Sequence, residues 1–426
     1  MAAIKIPVWI AILININIVI GAGFLVSTGK IAAINGVFSP LAWVACGLLL
    51  LPLVIALADL AVRFPAAGGI YIYSEQCLGS LWGFVSGWGY YVGTVAANAA
   101  VIHAFSVEVQ KIESVSSWLQ NCGLGGFGFD ALMVLLFAIV NLFNIEFLER
   151  AQITFTLLKS IPLLLVVVAV PMLFNASHFI VPTGAVASNM VGNIIGSIPL
   201  VLFAFIGIEA CCAVIDKIEN GKQNAARVLL LSFAIIVAIY ALLQFFLFCI
   251  HGSSDVNPFL SILPQLTSNQ MVIDWGNAAI NIAILSSFLG GFYGMFYYNN
   301  WNLYAMGKER SIMGWRYLTM LSRNQTPWVC VMIQSLLVLL LIATAGHGYY
   351  LVAMADFGTS IAYLLSALAF VVLARSIVGF LAIASCSVFI YFCATNLLDA
   401  GLHYALPFLI ILGGGIVAHK INTFLE

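Results

Sequence analysis

Apolar residues run along this chain in long stretches, separated by short polar segments that hold most of its Lys and Arg. Twelve stretches of roughly 20 residues stand out: 7–27, 37–62, 81–108, 130–148, 151–174, 191–215, 227–250, 277–305, 327–345, 349–373, 376–395 and 402–420. Hydrocarbon leaves no backbone group unpaired, so stretches of this length predict membrane-spanning helices. The first has no small-residue cleavage site behind a short apolar core, and further spans follow it, so it reads as a span rather than a leader. The segments 175–190 and 251–276 are polar, carry no Lys or Arg, and are too short for a folded extramembrane domain.

Composition sharpens this picture. At 426 residues and 45.9 kDa the chain has room for two or three soluble domains. Only 7% of its residues are charged, 63% are hydrophobic and the mean hydropathy is +1.11, whereas a soluble domain carries about 25% charge. With 15 Lys+Arg against 16 Asp+Glu the net charge is -1, which gives no basic face for a phosphate backbone and excludes nucleic acid as a partner. The partners implied are the lipid bilayer and a small molecule. The nine cysteines (46, 77, 122, 211, 212, 249, 330, 386 and 393) form no C-x-x-C pair and lie mostly in apolar runs. They read as small apolar packing residues rather than disulfides, and no metal site is expected.

An even span count puts both termini on one side. If that side is cytoplasmic, thirteen of the fifteen basic residues lie at it: Lys5, Arg63, Arg150, Lys159, Lys217, Lys222, Arg227, Lys308, Arg310, Arg316, Arg323, Arg375 and Lys420. Only Lys30 and Lys111 lie opposite. That bias predicts cytoplasmic termini, and a compact chain without a targeting extension suits a bacterial inner membrane.

Twelve packed spans with little outside them suggest a secondary transporter, an all-α polytopic membrane protein. No G-x-x-x-x-G-K-[ST] loop is present, so the energy comes from a gradient or from exchange, with no cofactor. No nucleophile and base are paired plausibly for catalysis, so the chain is not read as an enzyme. Substrate sites in such proteins lie where helices are interrupted by Gly or Pro at matching places in two repeats. Span 1 carries Ile20-Gly21-Ala22-Gly23-Phe24, which can unwind and offer backbone amides to a carboxylate; close helix packing is the competing reading. Span 6 carries Phe203-Ala204-Phe205-Ile206-Gly207-Ile208-Glu209. An acid between Ile208 and Ala210 is costly to ionise without a partner. Glu209 either changes protonation or partner during a cycle, or ties down a broken helix by hydrogen bonding. Breaks five spans apart predict a 5+5 inverted repeat, with 1–174 as the first half, 191–373 as the second and 376–420 as two additional helices, all within one transporter domain, 1–426.

These motifs resemble the amino acid-polyamine-organocation (APC) superfamily, and within it the basic amino acid and polyamine antiporter branch. The resemblance runs through I-G-A-G-F-L at 20–25, F-P-A-A-G-G-I-Y at 64–71, F-T-L-L-K-S-I-P-L at 155–163, F-A-F-I-G-I-E-A at 203–210 and Ile218-Glu219-Asn220. It covers nearly the whole chain in order and spacing. It implies that Gly21, Ala22 and Gly23 donate to a substrate carboxylate, with Ile206 and Gly207 near the ammonium group. It also puts Phe203 at an aromatic gate, held by tryptophan in arginine/agmatine exchangers, where its ring covers the ligand or attracts a cation. Phe292 lies near a second aromatic contact. Asn98 on span 3 and Ser286 or Ser287 on span 8 could donate into the cavity, with interhelical bonding as their ordinary role. Lys159 matches a span 5 lysine that takes a sodium-like position beside span 1 in proton-coupled relatives; snorkelling at the cytoplasmic end of the span is its alternative. His103 reads as a residue satisfied by a neighbour, Asp59 and Arg63 as a pair one turn apart, and Pro65-Ala66-Ala67-Gly68-Gly69 as a bend.

The expectation is therefore alternating-access transport of an amino acid, by proton symport or by exchange against another amino acid or its decarboxylated amine. A sodium-coupled symporter of the same architecture and an amino acid sensor with a transporter fold are the rivals. Polyamine alone is disfavoured, because the amides of span 1 would have no anionic group to hold. Glycine-rich spans suit either packing inside the bundle or contact between copies, so oligomeric state stays open.

Overall fold

The structure, a computed structural model, describes residues 5–65, 68–143, 145–179, 189–253, 258–345, 348–399 and 401–425. Ala66 and Ala67 of the expected bend, most of the segment 175–190 and four residues of 251–276 lie outside these. In chain order the helices are α1 (Val8–Val19), α2 (Ala22–Asn35), α3 (Ser39–Arg63), α4 (Ile70–Leu78), α5 (Ser80–Gln110), α6 (Glu113–Asn121), α7 (Phe127–Val140), α8 (Ile145–Leu173) and α9 (Met190–Phe203). They continue as α10 (Gly221–His251), α11 (Ile262–Leu266), α12 (Gln270–Lys308), α13 (Trp315–Leu318), α14 (Trp328–Ala345), α15 (Gly348–Ala374), α16 (Ile377–Asp399) and α17 (Leu402–Leu425). The protein is all-α and polytopic. Among the described residues nine helical stretches are long and apolar enough to cross a membrane, and α1, α7 and α9 are shorter apolar helices.

Each predicted stretch contains a helix, but 7–27 is broken at Ile20–Gly21, 191–215 leaves α-helix after Phe203, and several boundaries move. The fourth stretch, read as 130–148, ends at Val140, because the Asn141 side chain and backbone N–H both donate to Phe137 O at 2.8 Å and close the last turn. The apolar letters of Leu142 and Phe143 belong to a turn, pinned by a 2.9 Å bond from Asn324 Nδ2 to Leu142 O. At α12 the start is set by Asn269, whose Oδ1 accepts from Met271 N and Val272 N. Prolines 52, 162, 171, 199 and 407 sit inside helices, a cost that membrane helices meet through their neighbours.

Helix α5 runs through the middle of the bundle, with α15, α12 and α4 packed along it. Its crossing with α15 is a backbone contact: a Cβ on Gly93 would stand 2.7 Å from Thr359 N, and one on Gly358 2.6 Å from Gly93 Cα. Small residues allow such an approach, and dispersion then holds the helices where no hydrophobic effect operates between them. The perimeter is apolar instead: Leu157, Leu164, Val168 and Met172 of α8 are all well exposed, as lipid contact requires. Seven of the nine cysteines are buried, but Cys122 is exposed and Cys77 half-buried, so the packing role assigned to all nine fails at Cys122, which follows the end of α6.

Both ends of the described chain meet one face of the bundle. There Ile6 forms a parallel bridge with Ile218, and Glu219 N donates to Ile6 O at 2.9 Å. On the same face Tyr71 of α4 bonds Ser311 Oγ at 2.6 Å, and His419 of α17 sits 2.6 Å from Ser311 O while stacking on Phe84. Asp59 and Arg63 form the expected pair at 2.5 Å, and His103 is met by Asp130 at 3.0 Å.

Candidate functional site

The site begins where α1 stops. Ile20 takes ψ 83° and Gly21 φ −136°, ψ −147°, so the helix breaks and restarts at Ala22. A break strands the last carbonyls of α1 and the first amides of α2, and the carbonyls recruit partners from three other spans. Lys159 of α8 is only 4% exposed, and its ammonium donates to Asn17 O at 2.7 Å and to Ile20 O. Ser287 Oγ of α12 also donates to Ile20 O at 3.3 Å. The Tyr240 hydroxyl of α10 lies 2.8 Å from Val19 O and 2.9 Å from Ala204 O, so one phenol proton serves both broken spans.

The second break follows α9. From Ala204 the chain continues in tight i to i−3 turns, with Ala204 N on Val201 O, Phe205 N on Leu202 O and Ile206 N on Phe203 O. Gly207 then takes φ +101°, and a 3-10 segment runs over Ala210–Lys217. The breaks abut. A Cβ on Gly23 would stand 2.7 Å from Ala204 Cα, and one on Gly207 2.8 Å from Ile18 Cγ2. Asn15 Nδ2 locks them, donating to Ile208 O at 2.9 Å and bonding Ser232 Oγ at 2.8 Å. Asn17 bonds Gln152 Oε1, and Gln152 Nε2 donates to Gly290 O at 3.0 Å, which stitches span 1 to α8 and α12.

Ile18, Val19, Gly21, Gly23, Phe203, Ile206 and Gly291 line a small space between the breaks, of about 20 Å³, room for a water rather than an amino acid. Above it, on the face opposite the termini, opens a cavity of about 410 Å³. Gly23, Val101 and Phe203 line both, so the two spaces meet at these three residues.

Glu209 is 2% exposed. Its Oε2 accepts from Tyr363 Oη of α15 at 2.8 Å, Tyr90 of α5 lies beside the carboxyl, and Asn302 of α12 borders the same closed space. The acid thus joins the second break to α5 and α15. Tyr363→Phe removes one of those ties and nothing else. The expected loss of stability is about 1 kcal/mol if the carboxyl is protonated and up to about 3 kcal/mol if it is ionised, read as a shift in detergent melting.

Of the residues expected from sequence, Gly21, Gly23, Phe203 and Ile206 come together around the small space, Ala22 opens α2, and Gly207 makes the second turn. Lys159 does not snorkel, because the freed carbonyls of span 1 offer it acceptors inside the bundle. Ser286 spends its hydroxyl on Ala283 O, one turn back, leaving Ser287 as the one that reaches span 1. Asn98 is fully buried, and neither polar atom of its side chain finds a protein partner among the described residues. Phe292 does not border the space; its ring packs edge-on against Phe137 at 5.3 Å, and Gly291 takes the lining position. Tyr90, Tyr240, Tyr363 and Gln152 were not anticipated. Each sits in an apolar run, and only Gln152, a polar letter inside a predicted span, gave a local signal. Among the described residues no group of His, Cys, Asp and Glu is placed to hold a metal ion.

The chain is 23% identical to the serine/threonine exchanger SteT of Bacillus subtilis, over 78% of its own length and 74% of that protein. It is 25% identical to the glutamate/serine transporter AimA of the same organism, over 61% of its length. It is also 25% identical to the arginine/ornithine antiporter ArcD1 of Lactococcus lactis, over 59%. It spans about half, 52%, of each of the latter two. The sequence model described as amino acid permease matches residues 6–416, and the chain belongs to that family of membrane permeases.

Proposed function

We propose that this protein moves an amino acid across a bacterial cytoplasmic membrane by alternating access, binding it between the two helix breaks. The observation that carries the reading is the direct contact of the breaks, Gly23 on Ala204 and Gly207 on Ile18, beside Phe203. The amides of Gly21, Ala22 and Gly23 open α2 and suit a carboxylate; Ile206 and Gly207 turn away from helix and suit an ammonium group. The space between the breaks is closed in this conformation, so substrate enters as the broken halves part, and the bundle alternates around them. Together α1–α2, the helices through α17 and the 12-to-2 placement of the basic residues other than the buried Lys159 suit twelve spans, two inverted halves of five with two helices added, and cytoplasmic termini. The 410 Å³ cavity then faces outward.

Proton symport or exchange is favoured over sodium coupling. The ammonium of Lys159 already occupies the carbonyls of Asn17 and Ile20, which a sodium ion between spans 1 and 8 would need. Relatives named for serine, glutamate and arginine bracket the substrate class, and the arginine/ornithine antiporters among them support exchange.

Counterflow in proteoliposomes tests the reading: vesicles preloaded with one unlabelled amino acid or amine, labelled counterpart outside, and the proton gradient varied separately. Accumulation against a matching preload is the expected result. No accumulation with any amino acid by intact reconstituted protein would favour a sensor instead. Phe203→Ala should merge the two spaces and raise the external KM by about tenfold, equivalent to about 1.4 kcal/mol of lost ring contact. An unchanged KM would remove Phe203 from the gate.

A further inference from the structure

The outward cavity holds an acid that the transport site does not use. Asp356 of α15 lies in the apolar run Ala353-Met354-Ala355-Asp356-Phe357, is 1% exposed and lines the cavity wall. Its Oδ1 has no hydrogen-bond partner among the described residues, and no Lys or Arg pairs with it there. A carboxyl group buried within a membrane helix without a partner is costly, and such residues persist where a ligand or ion completes them. Asp356 lies eight residues into α15, which is about 12 Å below the lining residue Gly348. Lys30 of α2, exposed and long-stemmed, also lines the cavity, with Ser27 one turn before it and Asn396 of α16. Among the described lining residues these are the two charged ones, of opposite sign, in a cavity within the roughly 300–1,000 Å³ range of small-molecule sites.

We infer that this vestibule is a capture site for a zwitterionic amino acid, in which the Asp356 carboxyl group receives the ammonium group and Lys30 the carboxylate before Phe203 yields. The inference rests on the transport reading above and adds a second binding station to it. An acid that accepts from an ammonium and a cation that binds a carboxylate suit a zwitterion better than a simple anion or a diamine. The lysine stem is flexible enough to follow a ligand downward, whereas Asp356 is fixed by its helix.

The test uses the full chain in outside-out proteoliposomes, with whichever of labelled serine, glutamate or arginine the wild type exchanges in counterflow. Asp356→Asn should raise the external KM by about tenfold while the maximal rate stays within about twofold, since the transport site below is untouched. Asp356→Glu, which restores the carboxyl group, should recover most of the affinity. Lys30→Gln should raise the KM for the amino acid but not for its decarboxylated amine. Lys30 is exposed, so this variant keeps the test decisive even if Asp356→Asn fails to fold. External KM values unchanged in Asp356→Asn and Lys30→Gln would overturn the capture site and leave the transport reading standing. Absence of exchange in the wild type would overturn the transport reading itself.

Discussion

Lys159→Met is expected to cut transport to below about a tenth of wild type while the protein still folds and reconstitutes. Two stability effects oppose each other. Removing the ammonium strands Asn17 O, a buried carbonyl whose loss of partner costs about 1–3 kcal/mol; Ile20 O keeps Ser287 and suffers less. Against that, a fully enclosed charge no longer has to be desolvated, which on its own favours the apolar variant. Melting should therefore shift by less than about 3 kcal/mol in either direction, and the transport loss cannot be ascribed to unfolding. What disappears is the ammonium's hold on the break carbonyls, while Gln152 of α8 still bonds Asn17, and with it any step in which the ammonium releases those carbonyls. Lys159→Arg should not restore function, because a planar five-donor fork does not fit where a compact ammonium bridges two carbonyls. Uptake and detergent melting on the same preparations check this; normal transport by Lys159→Met would show that the residue is structural only.

The case of Lys159 also shows where sequence reading stops. The run lengths made the spans legible, because hydrocarbon thickness fixes how many apolar residues a helix needs. The breaks were legible from Gly21, Gly23 and Gly207, since glycine is what a chain uses to leave a helix. Partners were not. The bonds from Lys159 to span 1 join residues 139 and 142 positions apart, and nothing local distinguishes an ammonium that snorkels from one that turns inward. The Tyr363 and Tyr240 hydroxyls were invisible for the same reason: in an apolar run a tyrosine reads as bulk, and its role depends on which carboxyl or carbonyl the fold brings to its tip. Phe292 shows the opposite case: resemblance puts it near an aromatic contact, and the register of α12 turns its ring onto Phe137, with Gly291 against the small space.

Gly207→Ala should abolish transport and destabilise the protein, whereas Gly291→Ala should leave its folding intact, although both glycines lie beside span 1. At Gly207 the backbone has φ +101°, which a residue with a Cβ adopts at a cost of about 1–3 kcal/mol. The new methyl would also stand 2.8 Å from Ile18 Cγ2. That contact alone can be relieved by a rotation of the isoleucine, so the backbone term decides the sign. Relief of the backbone would require the turn after α9 to rewind toward helix, pulling Ile208 O from Asn15 and closing the space that Ile206 lines. Gly291 is inside α12, and its added Cβ would meet Ile18 O at 3.5 Å and Gly21 Cα at 4.0 Å, ordinary contact distances. Alanine there even gains about 1 kcal/mol of helix propensity over glycine. Thermal melting of the two variants in detergent separates the cases: Gly207→Ala lower than wild type, Gly291→Ala equal or higher. Equal melting of Gly207→Ala and wild type would mean that the second break is not held in this conformation, and the substrate site between the breaks would lose its geometric basis.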